Sequence, residues 1–297
     1  MDKRCGILLV SVTILVLSFV GTASATNWSV DGSGGADFTG IQEAINNAKE
    51  GDTILVYSGI YYENVVVNKS VTLRGIGHPV VDANDSDSAI TLTADGITLV
   101  GFNATNSGSF WWRDAGIKVT SNNNRITGNN VSNDWCGISL DDSSNNNTIT
   151  GNNVNNDWCG ISLSSSSNNN ITGNNVSNNV WGGISLEDSS NNNTVTGNNV
   201  CNNNRGGISL EHSSNNNTIT GNVFLNDGLS VHDSYQNIVQ DNTVNGKPLV
   251  YLEDVSDYKV EDAGQVIIVN CNNITIENLD LSNTDVGIEL WRTENST

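Results

Sequence analysis

The chain has 297 residues, with 12 lysine and arginine residues against 32 aspartate and glutamate residues and a formal net charge of −20. This acidic balance argues against nucleic acid and anionic membrane surfaces as partners, because both carry negative charge. The same field would repel an anionic polysaccharide unless a cation bridged the two, and calcium is the candidate cofactor.

Residues 1–25 have the features of a secretory signal peptide. Lys3 and Arg4 precede an apolar run from Gly6 to Val20, and Ala23-Ser24-Ala25 supplies the small residues of a cleavage site. A retained membrane anchor is the less favoured alternative, because the apolar run is short and ends in a cleavage pattern. No other segment of the sequence is apolar enough to span a bilayer. We therefore expect an exported protein, secreted, at the cell surface or in the periplasm, with no membrane span after cleavage.

Residues 26–114 are predicted to form a capping helix and the first, irregular coils. Thr39 to Gln42 has the spacing of a capping box, and Gly51 marks the end of the helix. The apolar face of this helix consists of Ile41, Ala44, Ile45 and Ala48. Strand-like runs follow at Thr53–Tyr57, Asn64–Val67, Val71–Arg74 and Ile90–Thr93. We expect the helix to cover the open apolar end of the coils, where unpaired strands would promote aggregation.

Residues 115–235 repeat with a period of about 23 residues. The motif Gly-Ile-Ser-Leu occurs at Gly137–Leu140, Gly160–Leu163, Gly183–Leu186 and Gly207–Leu210. A second apolar ladder with the same period runs through Ile126, Ile149, Ile171, Val195 and Ile219. Two ladders in phase indicate that each repeat forms one coil.

Each repeat contains apolar-polar-apolar triplets separated by clusters of Asn, Asp, Ser and Gly. In Ile138-Ser139-Leu140 the outer residues face one side and the serine faces the other, which is the period of a strand. Strands this short can bury their apolar face only by stacking on neighbouring coils at about 4.8 Å. Asparagine suits the corners, because it tolerates left-handed backbone and can hydrogen bond along the stack. The sequence predicts an all-β fold, a right-handed parallel β-helix.

Two of the four cysteines that follow the signal peptide, Cys136 and Cys159, occupy the same position in successive coils. The coil spacing permits a disulfide, and export permits oxidation. Alternation with the isoleucine two residues later instead places both side chains in the interior. On this ground we favour buried thiols over a bridge.

Acidic residues follow the Gly-Ile-Ser-Leu motif in several coils and form a stripe. The catalytic candidates in this stripe are Asp141, Asp142, Glu187, Asp188 and Glu211. Such a stripe could hold calcium or supply a carboxylate pair for cleavage of a glycosidic bond. The alternative is a solvated turn, because acids and serines are common in surface turns. Basic residues are scarce nearby, and the balance favours a protein that is not an enzyme.

Tryptophans stand three residues before the isoleucine of the motif and form a column over three coils. The candidate ligand-binding residues are Trp135, Trp158, Trp181, Asp134, Asp157 and Arg205. Indole faces could pack on the C–H faces of sugar rings while the aspartates bond to hydroxyls. Alternatively, the indoles stack on each other and shield the corner backbone, since repeat duplication produces ladders of like residues. Trp111 and Trp112 come just before this column.

His212, His232 and Asp233 are the metal-ligand candidates, because they fall in neighbouring coils. The two histidines stand at different offsets from the central apolar residues of their coils, which favours chance surface placement over a site. The sequence contains no Cys-x-x-Cys motif or Cys/His cluster that would indicate metal.

The N-terminal part resembles a known group of proteins. The segments Asp31–Gly34, Ile41–Ile45, Gly59–Asn64 and Val71–Gly75 resemble the opening of pectin methylesterases and other secreted β-helices that act on polysaccharides. This resemblance implies the fold and no activity, because the Gln-Asp and Asp-plus-Arg signatures of pectin methylesterases are not found.

Residues 236–297 resemble the NosD-type β-helix domain. The similarity lies in Asn245–Leu252, Asp262–Thr275 and Leu279–Leu290. This domain belongs to the carbohydrate-binding and sugar-hydrolysis β-helices, which are frequent in archaeal surface proteins, and its name-giving members are linked to copper delivery for nitrous oxide reductase. Copper ligands do not carry over, because the only methionine is Met1 and no two histidines have ligand spacing.

Three functions remain open. The preferred one is a non-catalytic surface or periplasmic protein that binds a polysaccharide or serves as an envelope component. A polysaccharide lyase or hydrolase acting through the acidic stripe is the alternative, and a copper-handling protein is the third. Acceptor sequences for asparagine-linked glycans recur along the exported part, among them those at Asn27, Asn68, Asn103, Asn130, Asn146, Asn170, Asn192, Asn216 and Asn273. After Leu290 no cap is evident, so we expect a longer repeat array or pairing of that edge with another chain.

Overall fold

The computed structural model describes residues 24–109 and 114–297. The predicted signal peptide lies almost wholly outside these residues, as do Trp111 and Trp112. Among the described residues the chain folds into stacked coils whose strands form three long parallel sheets, here called A, B and C in the order in which a coil visits them. The predicted parallel β-helix is confirmed.

The strands have the following bounds. Sheet A contains Asn27–Val30, Thr53–Tyr57, Thr72–Ile76, Thr98–Val100, Arg125–Thr127, Thr148–Thr150, Asn170–Thr172, Thr194–Thr196, Thr218–Thr220 and Ile238–Gln240. Sheet B contains Ile60–Tyr61, Val80–Asp82, Asn103–Thr105, Asn130–Ser132, Asn153–Asn155, Asn175–Ser177, Asn199–Cys201, Val223–Leu225, Thr243–Val244, Lys247–Glu253, Gln265–Val269 and Ile288–Trp291. Sheet C contains Val65–Val67, Ile90–Leu92, Ala115–Val119, Cys136–Leu140, Cys159–Ser164, Gly182–Glu187, Ile208–Leu210 and Leu229–Val231.

The register of the sheets follows the two apolar ladders. In sheet C, Ile138 pairs with Ile161, which in turn pairs with Ile184. In sheet A, Ile126 pairs with Ile149 in the same way. These side chains are 0–1% exposed and form one continuous core along the helix axis. Like residues therefore stack on like residues, because burial fixes the register of each short strand.

Buried asparagines satisfy the backbone at the corners of the coils. The amide nitrogen of Asn129 donates to Oδ1 of Asn152 at 3.0 Å, and that of Asn152 donates to Oδ1 of Asn174 at 2.9 Å. Nδ2 of Asn152 also donates to the Ile126 carbonyl and to Asn174 Oδ1. The predicted hydrogen bonding of asparagines along the stack is confirmed, and it supplies partners that the irregular corner backbone needs.

The helix Ile41–Asn47 covers the N-terminal end of the core with the predicted apolar face. The predicted capping box is wrong. Gly40 is the N-cap, and the carboxylate of Glu63 accepts hydrogen bonds from the backbone N–H groups of Ile41 and Gln42 at 2.9 and 2.8 Å. A side chain from the following coil therefore replaces the local cap, because the helix start is packed against that coil.

The coils change after Val244. The strand Thr243–Val244 pairs antiparallel with Lys247–Glu253, and the strands Ser256–Val260 and Asn272–Ile276 form a separate pair. A small second apolar cluster lies between these elements, around Val266 and Ile268. Within residues 24–109 and 114–297, the structure has no helix of the length and apolar character needed to cross a membrane.

Candidate functional site

A groove of about 870 Å³ runs along the outer face of sheet C. We call it the sheet C groove. Its floor is the outward row of Ser139, Ser162 and Ser185, the middle residues of the Ile-Ser-Leu triplets. The tryptophans precede these strands and the acidic stripe follows them, so the two predicted candidate surfaces form the opposite walls of one groove.

The first wall is a column of stacked indoles. The ring centroids of Trp135 and Trp158 are 5.2 Å apart with an interplanar angle of 11°, and those of Trp158 and Trp181 are 6.1 Å apart at 24°. The guanidinium carbon of Arg205 lies 4.2 Å from the Trp181 ring centroid and extends the column as a cation–π contact. Because the faces cover each other, the groove is lined by ring edges, with Trp158 and Trp181 37% and 43% exposed.

Asp134 and Asp157 do not flank the groove as expected from the sequence. They are 6% and 1% exposed and belong to a corner ladder, in which Oδ1 of Asp157 accepts the backbone N–H of Asp134 at 2.9 Å. Asn179 continues the ladder by accepting the N–H of Asp157. The prediction that these carboxylates bond to a ligand is wrong, because their side chains lie inside the coil.

The two buried aspartates have shifted titration. Burial raises the pKa of Asp134 to about 8, and burial followed by the charge of Asp134 raises the pKa of Asp157 well above its ordinary value. The Oδ2 atom of each is buried without a hydrogen-bond partner among the described residues. Burial inside this ladder therefore shifts both carboxyl groups toward the neutral form.

Cys136 and Cys159 form a disulfide, with α-carbons 4.6 Å apart. The predicted preference for buried thiols is wrong. A β-carbon built on Gly137 would lie 2.3 Å from Cγ1 of the core residue Val154, so Gly137 faces inward like the isoleucine that follows it. Because Gly137 and Ile138 both face inward, the alternation of the strand is broken and Cys136 turns toward the groove. Both Cys136 and Cys159 line the groove.

The second wall is acidic. Asp141, Asp142, Glu187 and Asp188 line it together with His212, whereas Glu211 does not line the sheet C groove. Lys118 Nζ lies 3.6 Å from Asp141 Oδ2, and the Ser139 hydroxyl donates to Asp141 Oδ1 at 2.9 Å.

Two acids of this wall have raised pKa values. Burial raises the pKa of Asp141, although the Ser139 hydrogen bond and the Lys118 charge oppose it. Burial and then the neighbouring Glu211 carboxylate raise the pKa of Glu187. The groove therefore combines apolar ring edges, hydroxyls and carboxyl groups, and burial favours the neutral form of Asp141 and Glu187.

The predicted metal ligands are not brought together into a site. Nδ1 of His212 lies 3.8 Å from Oδ1 of Asp188, and His232 packs edge-on against Trp291 with Nε2 3.8 Å from Asp233. Across the described ranges, no group of three or more His, Cys, Asp or Glu side chains is arranged to hold a metal ion.

Sequence reasoning did not assign the serine row or Lys118 to a site, and it considered the disulfide but favoured free thiols. The serine row was expected to point outward, as the middle residue of an inward-facing triplet does, but it was not recognised as the floor of a groove. Lys118 stands at the same position one coil earlier, paired with Ser139.

Proteins of known structure whose names describe action on polysaccharides share this fold. A pectate lyase, Pel9A, superposes with a TM-score of 0.61 at 16% identity, over 89% of this chain and 79% of that one. A tailspike protein of an Acinetobacter baumannii bacteriophage, described as a capsular polysaccharide depolymerase, superposes with a TM-score of 0.52 at 11% identity, over 83% of this chain and 57% of that one. At these identities the similarity shows the fold alone.

A cell surface glycoprotein of Methanothermus fervidus is 34% identical over 105 residues. The match spans 34% of this chain and 17% of that relative. Residues 45–243 match the family model described as periplasmic copper-binding protein NosD. Both matches indicate an extracellular or envelope location. Because the family match covers more than half of the chain, this protein belongs to the NosD family.

Proposed function

We propose that the protein binds a polysaccharide of the cell envelope, or from outside the cell, in the sheet C groove and does not cleave it. The observation that supports this most is the convergence of the tryptophan column and the acidic stripe on the two sides of one groove. Ring edges offer apolar contact to sugar C–H groups, and the serines and carboxylates offer hydrogen bonds to hydroxyls.

The shape of the groove also favours a polymer. The three indoles extend over two coil spacings, about 10 Å along the axis, and the serine floor repeats at each coil. An extended chain of sugars lying parallel to the axis would meet the same pair of walls repeatedly. The pectate lyase and the capsular polysaccharide depolymerase that share this fold add support, because both act on polysaccharides.

Retention of the purified protein on neutral and acidic polysaccharides tests this proposal, with polymer length followed by size-exclusion chromatography. We expect retention of intact polymer and at least tenfold weaker binding by Trp158→Ala. Tyr258→Ala is the matched control, since Tyr258 is 50% exposed and lies outside the groove. The proposal fails if no polysaccharide retains the protein, or if both variants bind like the parent chain.

A glycoside hydrolase using the same groove is the second candidate function. Asp141 and Glu187 occupy equivalent positions two coils apart, so their backbones are separated by about 10 Å. Carboxyl groups about 6.5 to 9.5 Å apart are typical of inverting glycosidases, and a raised pKa suits a general acid. If the parent chain shortens the polymer and Glu187→Gln does not, this function is favoured over simple binding.

Copper, which the family description implies, does not fit the described residues. Copper(I) favours thiolate and thioether ligands and copper(II) favours imidazole, yet Cys136 and Cys159 are bridged and the histidines make separate contacts. The only methionine is Met1, outside the described part of the chain. Isothermal titration with copper is expected to show no stoichiometric binding to residues 26–297.

A further inference from the structure

Six of the acceptor sequences of the form Asn-x-Ser/Thr fall into two aligned rows that differ in their hydrogen bonding. The corner row consists of Asn146, Asn192 and Asn216, at the turn between sheet C and sheet A. The outer row consists of Asn103, Asn130 and Asn175, at the start of strands in sheet B. The side-chain amides of the corner row make no hydrogen bonds within the described residues, whereas those of the outer row do.

The asparagines of the corner row are exposed, and their side-chain amides are accessible to a modifying enzyme. The three residues have φ values of 59°, 57° and 56°, the left-handed conformation of a tight corner. All three are exposed, and none of their side-chain amides has a hydrogen-bond partner in the described part of the chain. The threonine two positions later begins a sheet A strand in each case and is partly accessible.

The outer row uses its amides to link neighbouring coils. Nδ2 of Asn130 donates to Oδ1 of Asn103 at 2.8 Å, and Nδ2 of Asn175 donates to Oδ1 of Asn153 at 2.7 Å. Asn103 itself donates to the His78 carbonyl at 3.2 Å. A sugar on any of these nitrogens would have to enter a ladder whose coils are about 4.8 Å apart.

We propose that Asn146, Asn192 and Asn216 are sites of asparagine-linked glycosylation and that the outer row remains unmodified. The donor is a polyprenyl phosphate- or pyrophosphate-linked oligosaccharide, supplied on the exported side of the membrane. A bond forms between Nδ2 and C1 of the first sugar, and the bond from C1 to the phosphate oxygen breaks. Nδ2 loses one proton, and the lipid phosphate or pyrophosphate leaves.

The chain contains a natural control for this proposal. Asn168 occupies the same corner, is exposed and has a φ of 59°, but the third residue of its sequence is Asn170. Asn170 pairs in register with Thr148 and Thr194, so threonine is accommodated at this position of the sheet. Asn170→Thr therefore completes an acceptor at Asn168 and removes the one that begins at Asn170.

The test is expression of the full chain, with its leader, in a host that glycosylates exported proteins on asparagine. A co-expressed reporter glycoprotein verifies that the host is active. Glycopeptides are produced with a broad-specificity protease, because the chain has only 12 lysine and arginine residues, and are mapped by mass spectrometry.

We expect glycan on the three corner asparagines and none on the outer row. Asn146→Gln should remove one glycan from the intact mass, and Asn170→Thr should add one at Asn168. Unmodified corner asparagines beside a glycosylated reporter would overturn the proposal. Equal occupancy of the outer row would also overturn it, because the hydrogen bonds would then not select the sites.

Discussion

At the scale of single residues, the corner ladder that contains Asp134 and Asp157 shows the effect of replacing the Nδ2 atom of an asparagine by the Oδ2 atom of an aspartate. Asn179 and Asn203 occupy the equivalent positions in the next two coils, and Nδ2 of Asn179 donates to Asn203 Oδ1 at 2.9 Å. Asp134 and Asp157 have no such donor unless they are protonated, and the Oδ2 atom of each lacks a partner among the described residues.

Asp157→Asn is expected to stabilise the protein at pH 8 by about 1 to 3 kcal/mol, the usual cost of a buried unsatisfied polar group. Burial raises the folded-state pKa of Asp157, so the folded chain binds more protons than the unfolded chain. Stability contributed by the protonated acid is complete below pH about 4 and is lost as pH rises. Urea unfolding at pH 8, 6 and 4 should show the gap between variant and parent narrowing toward low pH.

The converse substitution provides the control. Asn152→Asp places a carboxylate in the buried asparagine ladder and should destabilise the protein most at pH 8. A gap between Asp157→Asn and the parent that does not change with pH would contradict the titration argument.

The disulfide can be tested at the same scale. It closes a loop of 23 residues, so replacing both cysteines by serine should lower the free energy of unfolding by about 3 kcal/mol. Trp135 and Trp158 directly precede the bridged cysteines and stack on each other, so the near-ultraviolet circular dichroism of the indoles should weaken as well. Cys201→Ser is the control, since Cys201 is a free cysteine, and an equal loss in that variant would contradict the assignment.

At the scale of elements, side chains from outside the capping helix satisfy both of its ends. The Glu63 carboxylate accepts hydrogen bonds from backbone N–H groups at the N-terminus of the helix. At its C-terminus, Lys69 Nζ donates to the carbonyls of Ile45, Asn46 and Ala48 at 2.8–2.9 Å. A helix of this length is marginal by itself, so contacts with the adjoining coils stabilise it.

Glu63→Ala is expected to lower the free energy of unfolding by about 1 kcal/mol, as for loss of an N-cap. Hydrogen exchange at the amides of Ile41 and Gln42 should accelerate, because both lose their acceptor. Glu43→Ala removes an exposed acid from the first turn of the same helix and should cost only a few tenths of a kcal/mol. Equal effects of the two variants would show that Glu63 does not cap the helix.

At the scale of the whole molecule, the last strand of sheet C is closed by side chains. The N–H of Leu229 donates to Oε1 of Gln265 at 2.9 Å, and Nε2 of Gln265 donates to the Leu229 carbonyl at 2.7 Å. Glu289 accepts the N–H of Val231 at 3.1 Å. These contacts imitate a further strand, which protects the edge from pairing with another chain.

Gln265→Ala should expose that edge. We expect faster exchange of the Leu229 amide and concentration-dependent association in analytical ultracentrifugation, because two backbone groups lose their partners. Gln240→Ala, at an exposed position of sheet A, is the control. Unchanged exchange at Leu229 would show that the glutamine is not the cap.

The sequence by itself determined the β-helix, its period, its apolar register and the capping helix. These follow from local periodicity, since identical triplets such as Ile138-Ser139-Leu140 and Ile161-Ser162-Leu163 bury best when stacked in register. It also identified both walls of the groove as columns of like residues.

Only the tertiary structure decided which way certain side chains face. The inward turn of Gly137 shifts the alternation, and this directs Cys136 toward the groove and into a disulfide, while the preceding corner holds Asp134 inside the coil. Alternation read from a sequence assumes a regular pleat, so it fails where two consecutive residues face inward. The meeting of the tryptophan and acidic columns on one groove likewise depends on how the coil closes in space. So do the capping of the helix start by Glu63 and the capping of the last sheet C strand by Gln265.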